Sequence, residues 1–311
     1  MHSTGKDETK VFLRGIVPPL VTPLTVEGQF DSAAYGKLME RVIAGGVHGL
    51  FVMGSTGEFT SFTPEFRRTL VQESCDRAGN RIPVVVNVSD TCLQSSLELT
   101  RFAARAGAQA VAICPPFYFS VTQGDLVRYL TKFGQSSELP VFLYNIPQNA
   151  HHELTPETVE RLAAVPNIVG LKNSNGKLDY MSEVIQIKRH RPDFAVLVGT
   201  EELLMPSVEA GADGCVPGGA NMFPGFFVKL YQATVERRKS EASAMQQQVV
   251  RIAESLYTVG APETSYFRGL KAALAELGVC GETLAEPFGS FSGKERQELR
   301  SRLNRLLPDL N

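Results

Sequence analysis

The 311-residue chain lacks several features that would point to particular partners or locations. It has no apolar run near the ~20 residues that cross a bilayer, so no membrane span is predicted. It also lacks an excess of either charge, since 31 basic and 33 acidic residues give a net charge of −2. This balance gives no electrostatic reason to expect nucleic acid or an anionic membrane as a partner.

Cysteine motifs are missing as well. An odd number of scattered cysteines without a Cys-x-x-Cys pair indicates neither a disulfide framework nor a zinc site. We expect them to be small core residues of a protein in a reducing compartment. The five are Cys75, Cys92, Cys114, Cys215 and Cys280.

Nucleotide, metal and export signals are absent too. The glycines at 211–214 and 218–219 match neither nucleotide fingerprint. The segment 151–153 (His-His-Glu) lacks the helical spacing of metal ligands, so a solvated turn and no metal are predicted. The polar first residues lack the apolar core of a signal peptide, which predicts a disordered tail over 1–12 and a cytoplasmic location.

Short apolar runs alternate with amphipathic segments from about residue 15 to 235. Strict alternation predicts a parallel sheet, and eight strands predict an α/β fold of the (β/α)₈ TIM-barrel type. A doubly wound sheet is disfavoured because it usually carries a glycine fingerprint. The predicted strands cover 15–21, 49–53, 83–88, 110–114, 140–145, 168–172, 195–199 and 214–217.

The strand pattern stops at about residue 238. Helices are predicted over 239–257, 264–277 and 293–307. The chain should therefore consist of a catalytic barrel over 13–237 and a C-terminal helical extension over 238–311.

A lysine at the end of a buried strand is the most informative residue. Lys172 closes the apolar run 167–171, where an ammonium group is costly to bury. Burial lowers the pKa of an amine, and a partly neutral lysine can form a Schiff base with a carbonyl substrate. The structural alternative is a side chain that reaches from the strand end to solvent.

Other polar groups also follow predicted strands, and in a barrel such positions converge on one site. Gly54, Ser55 and Thr56 offer amides and hydroxyls that suit the carboxylate of a 2-oxo acid. Tyr144 ends the strand next to that of Lys172 and suits proton transfer. Each group also has a structural interpretation, as a turn with a helix cap or as a core tyrosine.

Four segments together resemble the signatures of the dihydrodipicolinate synthase / N-acetylneuraminate lyase family of class I pyruvate-dependent aldolases. They are 54–58 (Gly-Ser-Thr-Gly-Glu), 144–147 (Tyr-Asn-Ile-Pro), 170–172 (Gly-Leu-Lys) and 211–214 (Gly-Ala-Asp-Gly). The resemblance implies a (β/α)₈ barrel with a helical extension, usually assembled as a homotetramer. It also implies that no cofactor is needed beyond the covalent Schiff base.

The same resemblance implies roles for individual residues. Lys172 would carry the pyruvate Schiff base and Tyr144 would relay protons. Ser55 and Thr56 would hold the pyruvate carboxylate and join the relay. Tyr118 matches a tyrosine that reaches the site of a neighbouring subunit, although its surroundings, Pro-Pro-Phe-Tyr-Phe, differ from the family pattern.

Departures from the family pattern concern the second substrate. The synthase branch places an arginine after the Tyr-Asn-x-Pro motif, where this chain has Gln148 and Asn149, and a neutral amide cannot replace a guanidinium at a carboxylate. The sialic acid lyase branch shows Asp-Glu after the seventh strand, where this chain has Glu201 and Glu202. It also shows a serine after the eighth, where this chain has Gly218.

These departures favour an aldolase that acts on a 2-oxo-3-deoxy sugar acid or a related 4-hydroxy-2-oxo acid, with pyruvate and an aldehyde as partners. N-acetylneuraminate is one candidate substrate among several. Asn173 and Ser174, just after the lysine, are further candidates for binding substrate hydroxyls. Three alternatives stay open: 4-hydroxy-tetrahydrodipicolinate synthase, a sugar-acid dehydratase, and a catalytically silent barrel that binds a small molecule.

Overall fold

The computed structural model of the chain describes residues 12–310, so the tail predicted over 1–12 lies almost wholly outside the described residues. Within them, eight strands pair in parallel in the order β1-β8-β7-β6-β5-β4-β3-β2. This arrangement confirms the predicted TIM-barrel fold. The strands are β1 (Gly15–Ile16), β2 (Leu50–Val52), β3 (Val84–Asn87), β4 (Ala110–Ile113), β5 (Val141–Asn145), β6 (Ile168–Asn173), β7 (Ala195–Val198) and β8 (Gly214–Cys215).

The two ends of the strand order, β1 and β2, meet through a single parallel bridge. Pro19 pairs with Phe51, and the amide of Phe51 donates to the carbonyl of Pro18 at 3.0 Å. The first strand is shorter than the predicted 15–21 because two successive prolines have no N–H to continue a ladder.

Helices cover the outside of the sheet and build the C-terminal part. Two begin with a proline directly after a capping threonine, Thr63 or Thr155, whose side chain accepts an amide hydrogen bond. They are α1 (Ser32–Ala44), α2 (Pro64–Ala78), α3 (Leu93–Ala106), α4 (Gln123–Ser136), α5 (Pro147–Ala150), α6 (Pro156–Ala163), α7 (Leu178–Ile185), α8 (Leu204–Ala210), α9 (Pro224–Val235), α10 (Lys239–Leu256), α11 (Pro262–Glu276) and α12 (Gly293–Leu306).

The three helices predicted after residue 238 are present as α10, α11 and α12. The second begins at Pro262 rather than at the predicted residue 264, because proline at the first helical position has the right φ and needs no amide partner. The boundary between barrel and extension at residues 237 and 238 stays a prediction. None of the helices described is long and apolar enough to cross a membrane.

The strands divide their side chains between two buried layers. Side chains such as Leu143 and Leu171 pack against the helices, whereas Phe51, Phe142 and Tyr144 belong to a second cluster. Alternation along each strand explains the division, since successive side chains point to opposite faces of a sheet. The second cluster fills the interior of the barrel and forms the floor of the site.

Candidate active site

Lys172 lies on the inner face of β6. Its register partners are Tyr144 on β5 and Leu197 on β7. Two residues earlier, Gly170 leaves room for its neighbours, since a Cβ there would lie 2.5 Å from the ring of Phe142. The glycine therefore lets the core close directly beneath the lysine.

The surroundings of Lys172 are apolar and aromatic. Only 4% of the residue is exposed, and Nζ lies 4.0 Å from the ring centroid of Phe51 and 4.1 Å from that of Tyr144. Ring faces favour an ammonium, but they do not replace its lost hydration. Burial lowers the pKa of Lys172 from 10.5 to about 7. A substantial fraction of the amine is therefore neutral, and nucleophilic, near pH 7.

Tyr144 places a phenol beside this amine. Its hydroxyl lies 3.4 Å from Oγ of Ser55. Burial raises the pKa of Tyr144, and the hydrogen bond with Ser55 opposes that rise. The phenol is therefore protonated at neutral pH and can donate a proton to a group that forms at Lys172.

The hydroxyl loop, residues 54–57, follows β2 and carries the two hydroxyls predicted to act together. Ser55 faces Tyr144, whereas Oγ1 of Thr56 lies 3.0 Å from the hydroxyl of Tyr266. The two hydroxyls thus belong to different hydrogen-bond pairs. Gly54 lies behind the loop, where a Cβ would lie 3.0 Å from the ring of Phe51.

A buried ion pair connects Glu58, the residue directly after this loop, to the C-terminal helices. Glu58, in the left-handed region with φ 59°, lies 2.6 Å from Nζ of Lys271 on α11. The amide of Ala285 donates to the same carboxylate at 2.7 Å, and Lys271 donates to the carbonyl of Thr283 at 2.7 Å. Burial raises the pKa of Glu58 and lowers that of Lys271, so each charge depends on its partner.

Replacing Lys271 by methionine should lower the free energy of unfolding by ~3–5 kcal/mol, because it leaves a buried carboxylate without its partner. The double variant Glu58→Gln/Lys271→Met should recover most of that loss. Lys177→Met breaks an exposed pair with Glu153 and should have a far smaller effect, since water screens that pair. Urea unfolding of the four proteins measures these differences. Equal losses in the single and double variants would contradict this role for the pair.

The cavity above Lys172 has a volume of about 210 Å³. This is smaller than the usual range for drug-sized ligands and suits a small substrate. Most of the residues predicted from the sequence line it: Ser55, Thr56, Tyr144, Asn149, Lys172, Ser174, Glu201, Glu202 and Gly218.

The two glutamates after β7 differ in their environment. Glu201 is buried and accepts hydrogen bonds from the amide of Gly219 at 2.7 Å and from the hydroxyl of Tyr257 at 3.2 Å. Burial and the nearby charge of Glu202 raise its pKa to about 8. Because both oxygens of Glu201 already have partners, Glu202 is the more available carboxylate for a substrate.

The amides after β5 lie on the other side of the cavity. Nδ2 of Asn149 donates to Oγ of Ser55 at 3.4 Å, and Nε2 of Gln148 donates to the carbonyl of Ser174 at 3.0 Å. Gln148 lines an adjoining cavity of about 340 Å³ that shares Ser55, Tyr144 and Asn149 with the first. Asn149 therefore lies where the two cavities join, whereas Gln148 lines only the second.

Some predicted residues lie elsewhere. The side chain of Asn173 does not line the cavity. It accepts a hydrogen bond from Asn145 and donates one to Asn175, so its prediction as a hydroxyl-binding group is wrong. Tyr118 is 81% exposed, and its place in a neighbouring subunit's site stays a prediction. Cys92 is exposed beside the first turn of α3, which contradicts its prediction as a core residue.

The predicted turn at 151–153 follows α5. His152 bonds with the carbonyl of Phe119 at 2.9 Å, and Glu153 pairs with Lys177. Residues 12–310 contain no group of three or more His, Cys, Asp or Glu that could hold a metal ion.

Three aromatic residues of the cavity were not predicted from the sequence. Tyr257, directly after α10, and Tyr266 and Phe267, on α11, line the cavity from the C-terminal helices. The sequence signal is weak, since a Tyr-Phe pair in a helix is more often a packing feature. Their role depends on where the C-terminal helices lie over the barrel.

Comparisons with known proteins identify the family of this chain. A model of the dihydrodipicolinate synthetase family matches residues 12–306. The 4-hydroxy-tetrahydrodipicolinate synthase of Thermus thermophilus is 34% identical over 299 residues, which cover 95% of this chain and 97% of that protein. The solved dihydrodipicolinate synthase of Bacteroides thetaiotaomicron is 40% identical, with a TM-score of 0.91 and coverage of 95% and 99%.

A third relative is named for a different activity. YagE of Escherichia coli K12, a putative 2-dehydro-3-deoxy-D-gluconate aldolase, has been solved in complex with pyruvate. That structure is 29% identical with a TM-score of 0.91, and covers 97% of this chain and 100% of its own. The chain therefore belongs to the dihydrodipicolinate synthetase family of pyruvate-dependent class I lyases, which act through a covalent lysine–pyruvate Schiff base without an external cofactor.

Proposed function

We propose that the protein is a class I aldolase that cleaves or forms a 2-oxo-3-deoxy sugar acid or a related 4-hydroxy-2-oxo acid, with pyruvate as product or donor. The observation that carries this proposal is the position of Lys172. Its amine is buried at the floor of a small cavity, has a pKa of about 7, and lies beside the phenol of Tyr144.

The lysine acts on the 2-oxo group. Neutral Nζ of Lys172 attacks C2 and gives a carbinolamine. Tyr144 donates its proton to the departing hydroxide, so that water leaves and an iminium ion forms beside a phenolate. Burial raises the pKa of Tyr144 and so disfavours its phenolate, whereas the positive charge of the nearby iminium stabilises that phenolate.

Cleavage then follows from the charge of the iminium. The phenolate of Tyr144 takes the proton of the 4-hydroxyl, the C3–C4 bond breaks, and its electron pair moves to the iminium nitrogen as an aldehyde leaves. The Tyr144 phenol, which now carries the proton of the 4-hydroxyl, returns a proton to C3 of the enamine and becomes a phenolate again. Water then adds to the iminium, the phenolate takes up the released proton, and pyruvate leaves as the Lys172 amine is restored. The hydroxyl of Ser55 lies 3.4 Å from the hydroxyl of Tyr144 and can pass a proton between Tyr144 and a molecule in the cavity.

The carboxylate of the substrate is assigned to the hydroxyl loop. Ser55 and Thr56 both line the cavity with Lys172, and their hydroxyls can donate to a carboxylate. This binding would direct the 2-oxo carbon towards Nζ. The loop would thereby determine which carbonyl of the substrate reacts.

The part of the cavity that would bind the aldehyde substrate, called here the acceptor half, is better suited to hydroxyl groups than to a second carboxylate. Apart from Lys172, the cavity lining within residues 12–310 carries no cationic side chain. It offers Ser174, Thr200 and the carboxylate of Glu202 instead. Neutral hydroxyls can donate to these groups, whereas a carboxylate would meet the negative charge of Glu202. The name of YagE, a putative 2-dehydro-3-deoxy-D-gluconate aldolase, supports the same choice.

The names of several relatives favour a second candidate, 4-hydroxy-tetrahydrodipicolinate synthase. That reaction needs a group that binds the carboxylate of aspartate semialdehyde. The family resemblance implies an arginine for this role at the position of Asn149. An amide there provides no cation for the carboxylate.

The two candidates can be separated by a panel of acceptors. Pyruvate is supplied with glyceraldehyde, larger hydroxylated aldehydes or aspartate semialdehyde, and the products are identified by mass spectrometry. We expect hydroxylated aldehydes to give the higher kcat/KM. Preference for aspartate semialdehyde would overturn the proposed substrate class. In a separate reaction with a sugar acid alone, loss of water without carbon–carbon cleavage would identify a dehydratase.

The variant Asn149→Arg should shift this preference towards aspartate semialdehyde. One charge-assisted contact with the carboxylate would raise kcat/KM for it by about 10–100-fold relative to glyceraldehyde. Asn149→Lys provides a control that has the charge without the planar fork and should gain less. An unchanged ratio in both variants would contradict a role for residue 149 in acceptor binding.

Schiff-base formation should depend on pH through Lys172. Because only the neutral amine attacks, a pKa of about 7 predicts a rate that rises with pH below about 7 and levels off above it. An ordinary lysine, with a pKa of 10.5, would give a rate that still rises at pH ~10. Trapping with cyanoborohydride at a fixed pyruvate concentration measures the profile. A rise that continues through alkaline pH would contradict the buried amine.

A further inference from the structure

The residue that faces the cavity just after β8 has no side chain. Gly218 lines the cavity there, and a Cβ at this position would lie 2.1 Å from the hydroxyl oxygen of Tyr266. The distance from that Cβ to Cζ of the same ring would be 3.1 Å. The hydroxyl of Tyr266 therefore occupies the place that a side chain at residue 218 would take.

Tyr266 comes from α11, outside the barrel strands. Its ring packs edge to face against that of Tyr257, with centroids 4.9 Å apart, and its hydroxyl lies 3.0 Å from Oγ1 of Thr56. These two contacts fix the phenol at the border between the hydroxyl loop and the acceptor half of the cavity.

The two tyrosines have different hydrogen-bonding capacity left for a ligand. The hydroxyl of Tyr257 donates to Glu201, so its one proton is already used. The hydroxyl of Tyr266 is paired with another hydroxyl, which can act as donor or as acceptor. Tyr266 can therefore donate to Thr56 or to a bound molecule, and it can accept a further hydrogen bond.

We propose that Tyr266 is a specificity-determining residue, whose hydroxyl binds a hydroxyl group of the acceptor at the place that Gly218 leaves open. This inference rests on the proposed aldolase function and adds a residue to its acceptor site. Helix α11 then supplies a substrate contact that a side chain at residue 218 would otherwise make. Gly218 is required because any larger residue would displace the phenol.

The test uses an exchange of the two positions. Tyr266→Phe removes the hydroxyl, and Gly218→Ser adds one where the phenol stands. In the double variant Gly218→Ser/Tyr266→Phe the nearest ring atom to the new Cβ is Cζ, at 3.1 Å, so a shift of a few tenths of an ångström relieves the contact. Tyr231→Phe is a matched control, because that hydroxyl donates to the carbonyl of Asp213 outside the cavity.

Each protein is assayed with pyruvate and either glyceraldehyde or propanal, which differ only in the two hydroxyls. Tyr266→Phe should lower the ratio of kcat/KM for glyceraldehyde to kcat/KM for propanal by about two- to tenfold, the effect of one lost neutral hydrogen bond. Gly218→Ser should lose most activity with both aldehydes, and the double variant should recover much of it. Tyr231→Phe should not change the ratio of the two substrates.

Equal effects of Tyr266→Phe on both aldehydes would overturn the inference, as would a fully active Gly218→Ser or a double variant no better than that single one. Wild-type protein that forms the pyruvate adduct but does not distinguish the two aldehydes would also overturn it and leave the proposed function intact. Wild-type protein without a borohydride-trapped adduct would overturn the proposed function itself. Thermal unfolding of each variant identifies a loss of activity that comes from a misfolded protein.

Discussion

Replacing Lys172 by alanine is expected to lower kcat with pyruvate and a hydroxylated aldehyde by roughly 10⁴-fold or more, because the reaction loses its covalent nucleophile. Lys172→Arg should be equally inactive, since a guanidinium keeps the charge but does not form the imine. Kinetics of the two purified variants, beside the exposed control Lys177→Ala, measure the effect.

The stability of these proteins provides an independent check on the role of the lysine. Burial of the Lys172 amine lowers its pKa, which means that the charged form is disfavoured in the folded state. Lys172→Ala should therefore be no less resistant to urea than the wild type, in spite of its inactivity. A variant that loses both activity and stability would indicate a structural lysine, and an active Lys172→Arg would exclude the imine.

Tyr144→Phe is expected to have the second largest effect on catalysis. The ring 4.1 Å from Nζ remains, whereas the proton donor is lost, so kcat should fall by about 10²–10⁴-fold. The pyruvate adduct should still form, more slowly, because the nucleophile is intact. Stopped-flow rates of imine formation together with steady-state kcat distinguish these two steps.

A matched tyrosine is available for comparison. The hydroxyl of Tyr180 donates to the carbonyl of Leu154 at 2.6 Å, and this residue does not line the cavity. Tyr180→Phe should keep kcat near the wild-type value while it loses a buried hydrogen bond of similar kind. Similar losses of kcat in the two variants would mean that Tyr144 acts through stability rather than through proton transfer.

The barrel itself could be predicted from the sequence because its signal is local and repeated. Apolar runs of strand length alternate with amphipathic segments, and capping residues such as Thr63 and Thr155 mark helix starts within a few positions. Side-chain alternation then places Tyr144 and Lys172 on one face of neighbouring strands. The inner half of the site follows from these regularities.

The outer half could not be predicted, because it depends on contacts between distant parts of the chain. Tyr266 meets Thr56 across 210 positions, and Lys271 meets Glu58 across a similar separation. No periodicity within α11 reports which end of the barrel that helix covers. The hydrogen bonds that Glu201 accepts from the amide of Gly219 and the hydroxyl of Tyr257 likewise join distant parts of the chain and cannot be predicted from the sequence.

The central claim is that pyruvate reacts with the amine of Lys172. Reduction of a mixture of protein and pyruvate with borohydride, followed by mass spectrometry of the whole protein and its peptides, tests it most directly. We expect a mass increase of one reduced pyruvate per chain, on the peptide that contains Lys172, and none in Lys172→Ala. No increase in the wild type, an increase at Lys271, or an undiminished adduct in Lys172→Ala would contradict the claim.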